Sequence, residues 1–177
     1  MKKALLLLAF GCAAVLAADD LPVGLKTAKL GAPTIPGWII NKSSKAADYG
    51  KGEIIAASEP GKMAFKIVAP ADRGVAFYTA RAFPVKVGQV LEVSAKVKGK
   101  GWLSLGFYGY GNNRFLGGIA NSNKSFQLQE GLTEVKAEIV INGSKAGNLD
   151  SIRPAITVSK GGEAVIEDLE VEIENKD

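Results

Sequence analysis

The residues of this chain best placed for chemistry are three aromatic rings in "WLSLGFYGYG": Trp102, Tyr108 and Tyr110, alternating with Leu103, Leu105 and Phe107. Successive side chains on a strand point to opposite faces, so the aliphatic set shares one side and the rings the other, with the small Ser104 and Gly106 between them. A pyranose offers a face of C–H groups that lies on a ring, while its hydroxyls need donors and acceptors at the edge. The preceding segment, "GQVLEVSAKVKGKG", alternates in the same way: Leu91, Val93, Ala95 and Val97 fall on the core side, and Glu92, Ser94 and Lys96 on the polar side. Read as a hairpin turning about Lys100, the two strands place Val97 opposite Leu103, Glu92 opposite Tyr108 and Ser94 opposite Gly106. The expected ligand site is therefore Trp102, Tyr108 and Tyr110, with Arg114, Glu92 and Asn112 at its edge; Ser94, Lys96 and Asn113 are further polar candidates.

One ring is not enough. If a ring face withdraws about 100 Å² of apolar surface, the gain at about 25 cal/mol per Å² is roughly 2.5 kcal/mol, against an association cost of at least about 4 kcal/mol. Two or three rings with polar contacts reach only weak affinity, which favours a polymer that engages several sugars at once. The competing reading is that these rings pack under a loop or against a second sheet, as aromatic residues often do.

What is missing narrows the chemistry further. The chain of 177 residues has no histidine, and Cys12 is its only cysteine. Nucleophilic pairs that need histidine and the usual Cys and His zinc sites are thereby excluded, and the expectation is a protein with no catalytic activity of its own. Glycoside hydrolysis needs only two carboxylates, so a small glycan lyase or hydrolase stays as a minor alternative. "GYGNNRFLGG" lacks the third glycine of a phosphate-binding fingerprint, because Arg114 stands there, and reads as a strand-to-strand loop with Gly111 and Asn112 in turn conformations.

The first residues, "MKKALLLLAFGCAAVLAADD", combine Lys2 and Lys3 with a short apolar run and a small-x-small site at Val15 to Ala17. This is the pattern of a signal peptide over residues 1–17, and it is too short for a membrane span. The expected location is secreted or periplasmic, in preference to a lipid anchor at Cys12, since Phe10 is bulky for an acylation site. The formal charge of +4 becomes +2 without Lys2 and Lys3. Its cations are scattered, so no nucleic-acid partner is expected.

Residues 18–36 mix Pro22, Pro33 and Pro36 with Gly24 and Gly31 and read as an extended lead segment or linker. From residue 37 to 177, short alternating runs recur between turn residues. Met63, Phe65 and Ile67, then Val135, Ala137 and Ile139, then Ile152, Pro154 and Ile156, then Leu169, Val171 and Ile173 are the clearest. The pattern predicts one all-β domain of nine to eleven strands, an antiparallel two-sheet β-sandwich. Pro154 suggests an edge strand or a bulge, because proline cannot donate to the ladder. Trp38 reads as a core or edge residue, Tyr49 and Tyr78 are unassigned, and one helical turn is possible over 43–49.

The segments "GWIINKSSKAADYG", "FPVKVGQVLEVSAKVKGKG" and "IRPAITVSKGGEAVIEDLEVEI", in this order, resemble jelly-roll carbohydrate-binding modules of the galactose-binding-like kind appended to bacterial xylanases and glucanases. The resemblance spans nearly all of the chain after the leader. It implies a jelly-roll sandwich, a noncatalytic binding role and a polysaccharide or oligosaccharide partner. Some members also hold a structural calcium, for which Glu53, Glu167 and Asp168 are the nearest candidates; no other cofactor is implied. A structural or matrix protein that uses the same sandwich for protein contacts is the alternative of a different class.

Overall fold

The computed structural model describes residues 24–42, 49–112, 114–119, 124–142 and 148–175. The expected leader over residues 1–17, Cys12, Asn113 and nearly all of the turn expected over 43–49 lie outside the described residues.

Twelve strands form among the described residues, against the nine to eleven expected: β1 (Trp38–Ile40), β2 (Lys51–Ala56), β3 (Met63–Val68), β4 (Val75–Thr79), β5 (Phe83–Pro84), β6 (Gln89–Lys100), β7 (Trp102–Gly111), β8 (Arg114–Gly118), β9 (Lys124–Gln127), β10 (Thr133–Val140), β11 (Ser151–Val158) and β12 (Glu163–Asn175). They build two antiparallel sheets. Sheet A runs β1-β4-β11-β7-β8, with β5 also paired to β11 and β9 to β7; sheet B runs β10-β6-β12-β3-β2. This is the expected two-sheet sandwich of jelly-roll type.

Period-two alternation supplies the core from both sheets. Leu91, Val93, Ala95 and Val97 of β6 face inward from sheet B, and Leu103, Leu105 and Phe107 of β7 from sheet A; all are at most 2% exposed. Phe65 of sheet B and Phe77 of sheet A meet edge to face between the layers, their centroids 5.0 Å apart. Each position thus buries an apolar side chain only because its neighbours turn outward.

The pairing of β6 with β7 is a correction. Both edges of β6 are occupied, one by β10 and the other by β12, so β7 has no ladder to join and enters the opposite sheet. The Gly99-Lys100-Gly101 stretch is the corner where the chain changes sheets. Gly99 adopts φ +143°, and a Cβ there would lie 2.0 Å from the Glu163 carbonyl oxygen, so only glycine fits. Val97 and Leu103 enter the core from opposite sheets and share no ladder.

Pro154 lies in no edge strand. In β11 it is opposite Phe107 of β7, and β11 meets β4 from Ala155 onward and β5 at Ser151 and Ile152. Ser159 donates its N–H to Trp102 of β7, so alternation turns the Pro154 nitrogen to the other side, where the β4–β5 edge is interrupted. The missing donor falls at the break.

Residues 24–36 are packed against the sandwich. A 3-10 turn at Leu25–Thr27 buries Leu25, Ile35 is fully buried, and Gly31 and Ala32 exchange backbone hydrogen bonds with Ile54 of β2 at 2.8 and 2.7 Å. The described part of the lead segment thus caps the core in place of serving as a linker.

Candidate functional site

Sheet A carries on its outer face a run of four rings drawn from three strands. Tyr78 of β4 meets Tyr108 of β7 with centroids 5.7 Å apart, Tyr108 meets Phe115 of β8 at 5.6 Å, and Phe115 meets Tyr110 at 5.5 Å. Edge-to-face and tilted contacts of this kind are the geometries that ring quadrupoles favour. Strands β4 and β7 are not neighbours; β11 lies between them, so their backbones are about 10 Å apart. Tyr78 reaches Tyr108 because the intervening row is Ala155 and Gly106, in register with Tyr78 and both buried. The smallness of these two positions makes the ring cluster possible.

Arg153 of β11 sits among the rings, paired in register with Tyr108. Its guanidinium carbon lies 4.7 Å from the Tyr110 centroid and 5.7 Å from that of Tyr78. Burial raises the Tyr110 phenol above its ordinary pKa, an effect that the Arg153 charge opposes. The phenol is therefore a neutral donor at physiological pH.

Trp102 stands at the far end of the same face. It is 51% exposed, opposite Gln127 of β9, and its backbone N–H donates to the Ser159 hydroxyl at 3.0 Å. Six residues separate it from Tyr108, about 20 Å along an extended strand. Between them run Ser104, Thr157 and Ser125, three small hydroxyl side chains in one row, with Ser104 and Ser125 hydrogen-bonded at 2.7 Å. Gly106 lies buried toward the cluster.

Of the expected polar residues, Asn112 is at the β7–β8 turn with φ +50°, a left-handed conformation that asparagine tolerates. Its N–H donates to Asp150 Oδ2 at 2.7 Å, and this bond, after one from the Ser151 hydroxyl, holds the Asp150 carboxyl below its usual pKa. Arg114 is exposed at the start of β8, and because it precedes Phe115 its side chain alternates away from the ring face.

Glu92 is a correction, and Ser94 and Lys96 share it. Since β6 belongs to sheet B, these residues lie on the opposite outer surface of the sandwich from the rings. Glu92 there bonds Lys136, and it stands in register between Glu138 and Glu172.

Two calcium candidates are engaged by other partners. Glu167, 5% exposed, accepts from the Ser58 N–H at 3.1 Å and the Ser58 hydroxyl at 2.5 Å. Asp168 is bonded by Lys96 at 2.8 Å and Lys62 at 3.2 Å, which hold its carboxyl below the ordinary value. Glu53 is on β2 opposite Lys66, and no group of three or more Asp, Glu, His or Cys able to hold a metal occurs among the described residues.

Tyr78, Phe115 and Arg153 were not singled out from the sequence. Arg153 alone carried a signal, as the one cation in an otherwise apolar and hydroxyl-bearing strand pattern, "SIRPAITV".

No protein-family model and no curated protein matches the chain. Solved structures do. A cyclase from Fischerella sp. TAU aligns at TM-score 0.63 with 7% identity, over 90% of this chain and 98% of the cyclase. The CBM22-1 xylan-binding domain of Xyn10C from Paenibacillus barcinonensis aligns at 0.52 with 13% identity, over 83% and 92% of the two chains. A CBM4 structure aligns at 0.51 with 11% identity, over 78% and 96%. At these identities the likeness establishes fold. The cyclases nevertheless correct the expectation, drawn from the missing histidine and cysteine, that such a chain has no catalytic activity of its own: an enzyme spans the same sandwich from end to end. The chain has the jelly-roll β-sandwich fold found in carbohydrate-binding modules.

Proposed function

We propose that the chain is an exported protein that binds polysaccharide on the outer face of sheet A. The observation that carries this reading is the continuous ring surface Tyr78, Tyr108, Phe115 and Tyr110, with Trp102 about 20 Å away on the same face. That spacing suits an extended chain of several sugars, stacked at both ends and hydrogen-bonded over the hydroxyl row between. An open depression of about 620 Å³ at the β1 edge, lined by residues including Thr34, Ile39 and Tyr78, shares Tyr78 with the cluster and lengthens the face. The fold likeness to a xylan-binding domain supports the class of ligand. Export rests on the leader pattern over residues 1–17, and intact-mass analysis of the native protein tests it. Among the described residues no helix is long and apolar enough to cross a membrane.

Affinity electrophoresis and calorimetry against a panel of soluble polysaccharides test the site. Tyr108→Ala and Trp102→Ala should each weaken binding about tenfold or more, in keeping with the loss of one stacking platform. Binding that survives both replacements would remove this face. Assembly that depends on protein concentration and needs no glycan would favour the structural-protein alternative. The whole-chain match to the cyclases favours a second reading, in which the same rings hold a small aromatic molecule; one solved complex contains 4-(1H-indol-3-yl)butan-2-one. Tight binding or turnover of indole compounds, with no polysaccharide bound, would select it.

A further inference from the structure

Acidic side chains are divided unequally between the two sheets. The seven strands of sheet A contain no Asp or Glu and three cations, Arg114, Lys124 and Arg153. The five strands of sheet B contain ten acidic residues: one in β2, one in β6, two in β10 and six in β12. Six lysines on the same strands offset part of this charge, through pairs such as Lys66–Glu163, Lys96–Asp168 and Lys136–Glu92, and leave sheet B with an excess of four acidic residues. Arg153 belongs to no ion pair among the described residues, and its Nε is buried with no hydrogen-bond partner. It is held between the Tyr110 and Tyr78 rings at 4.7 and 5.7 Å, within the ring cluster at one end of the proposed binding face.

A guanidinium stays charged at all physiological pH and presents a planar fork of donors that matches a carboxylate or a sulfate. Flanking rings fix the fork and lower its exposure to water without neutralising it. From these observations we infer that the preferred ligand is an acidic polysaccharide, whose carboxylate or sulfate is received by Arg153 while adjoining sugars stack on Tyr78, Tyr108 and Tyr110. This rests on the polysaccharide reading of the same face and adds the chemical class of the ligand. The acidic outer face of sheet B repels such a polymer, so one side of the sandwich is selected.

The test compares each polymer with its own uncharged form: polygalacturonate and glucuronoxylan with their carboxyl-reduced products, and κ-carrageenan with its desulfated product, for the parent protein and for Arg153→Met and Arg153→Lys. The expected result is at least a tenfold preference for the charged member of one or more pairs. The preference should fall with added salt, disappear in Arg153→Met and return in part in Arg153→Lys. Carboxylate and sulfate as the recognised group are separated by which pair responds. Equal or stronger binding of the uncharged forms would overturn this inference and leave polysaccharide binding standing; no binding of any polymer would overturn both. A preference that persists in a folded Arg153→Met variant would overturn the role of Arg153. Displacement of the glycan by a single-stranded oligonucleotide at equal charge would also overturn it. Because the comparison of charged with uncharged polymer needs no variant, it decides the matter even if Arg153→Met fails to fold.

Discussion

Replacing the chain's two tryptophans separately by alanine should distinguish a residue that holds the sandwich together from one that faces a ligand. Trp38 of β1 is 3% exposed and Trp102 of β7 is 51% exposed. A fully buried tryptophan withdraws up to about 250 Å² from water, so Trp102 withdraws about half that, and a compact unfolded chain already buries a further part. Some 90 Å² remains, worth about 2 kcal/mol at about 25 cal/mol per Å², with no cavity term because the site opens to solvent. Trp38→Ala removes a whole side chain from the core and leaves a void, for which about 3 to 5 kcal/mol is expected. Its Nε1 is buried without a hydrogen-bond partner in the structure, and deleting that donor recovers part of the loss, which favours the lower end. Urea unfolding at constant m-value measures both changes. Fluorescence gives a second check: in Trp102→Ala the remaining emission arises from Trp38 and should resist quenching by acrylamide, whereas in Trp38→Ala the emission should be readily quenched. A Trp102→Ala variant as destabilised as Trp38→Ala would show that the Trp102 ring is structural, and would refute its place on an open binding face.

Two further outcomes are expected. Asp168 is held below its ordinary pKa by Lys96 and Lys62, so its charge contributes stability above the unfolded value of about 3.9, and that contribution fades as pH falls through the folded value. Asp168 also has φ +49°, which asparagine accepts, so Asp168→Asn isolates the charge; the stability gap between parent and variant should be full above about pH 4 and close below it, and a gap independent of pH would contradict the argument. Gly99→Ala should destabilise by at least about 1 to 3 kcal/mol from backbone strain alone, because φ +143° and the nearby Glu163 carbonyl exclude a Cβ; a variant that unfolds at the parent's urea midpoint would mean that the corner between β6 and β7 is built differently.

Much of this protein was legible from local pattern, because a strand's inward and outward positions follow from alternation alone. The aliphatic faces of β6 and β7, the all-β class and the placing of Trp102, Tyr108 and Tyr110 on one outward face all rest on period two, and none depends on what each strand pairs with. Pairing itself is a long-range property. A Gly-Lys-Gly stretch between two alternating strands suits a hairpin and a corner between sheets equally, and what excluded the hairpin was the arrival of β10 and β12, distant in sequence, on both edges of β6. That one difference moved Glu92 to the far side of the molecule. Likewise the ring cluster is assembled from β4, β7 and β8, and Arg153 comes to it from β11; these strands are neighbours only in the folded sheet, where two small residues, Ala155 and Gly106, let Tyr78 reach across to Tyr108. The sequence by itself determined which side chains face outward, because that is set residue by residue; the tertiary structure alone decided which of them share a surface, because that is set by the order of strands in a sheet.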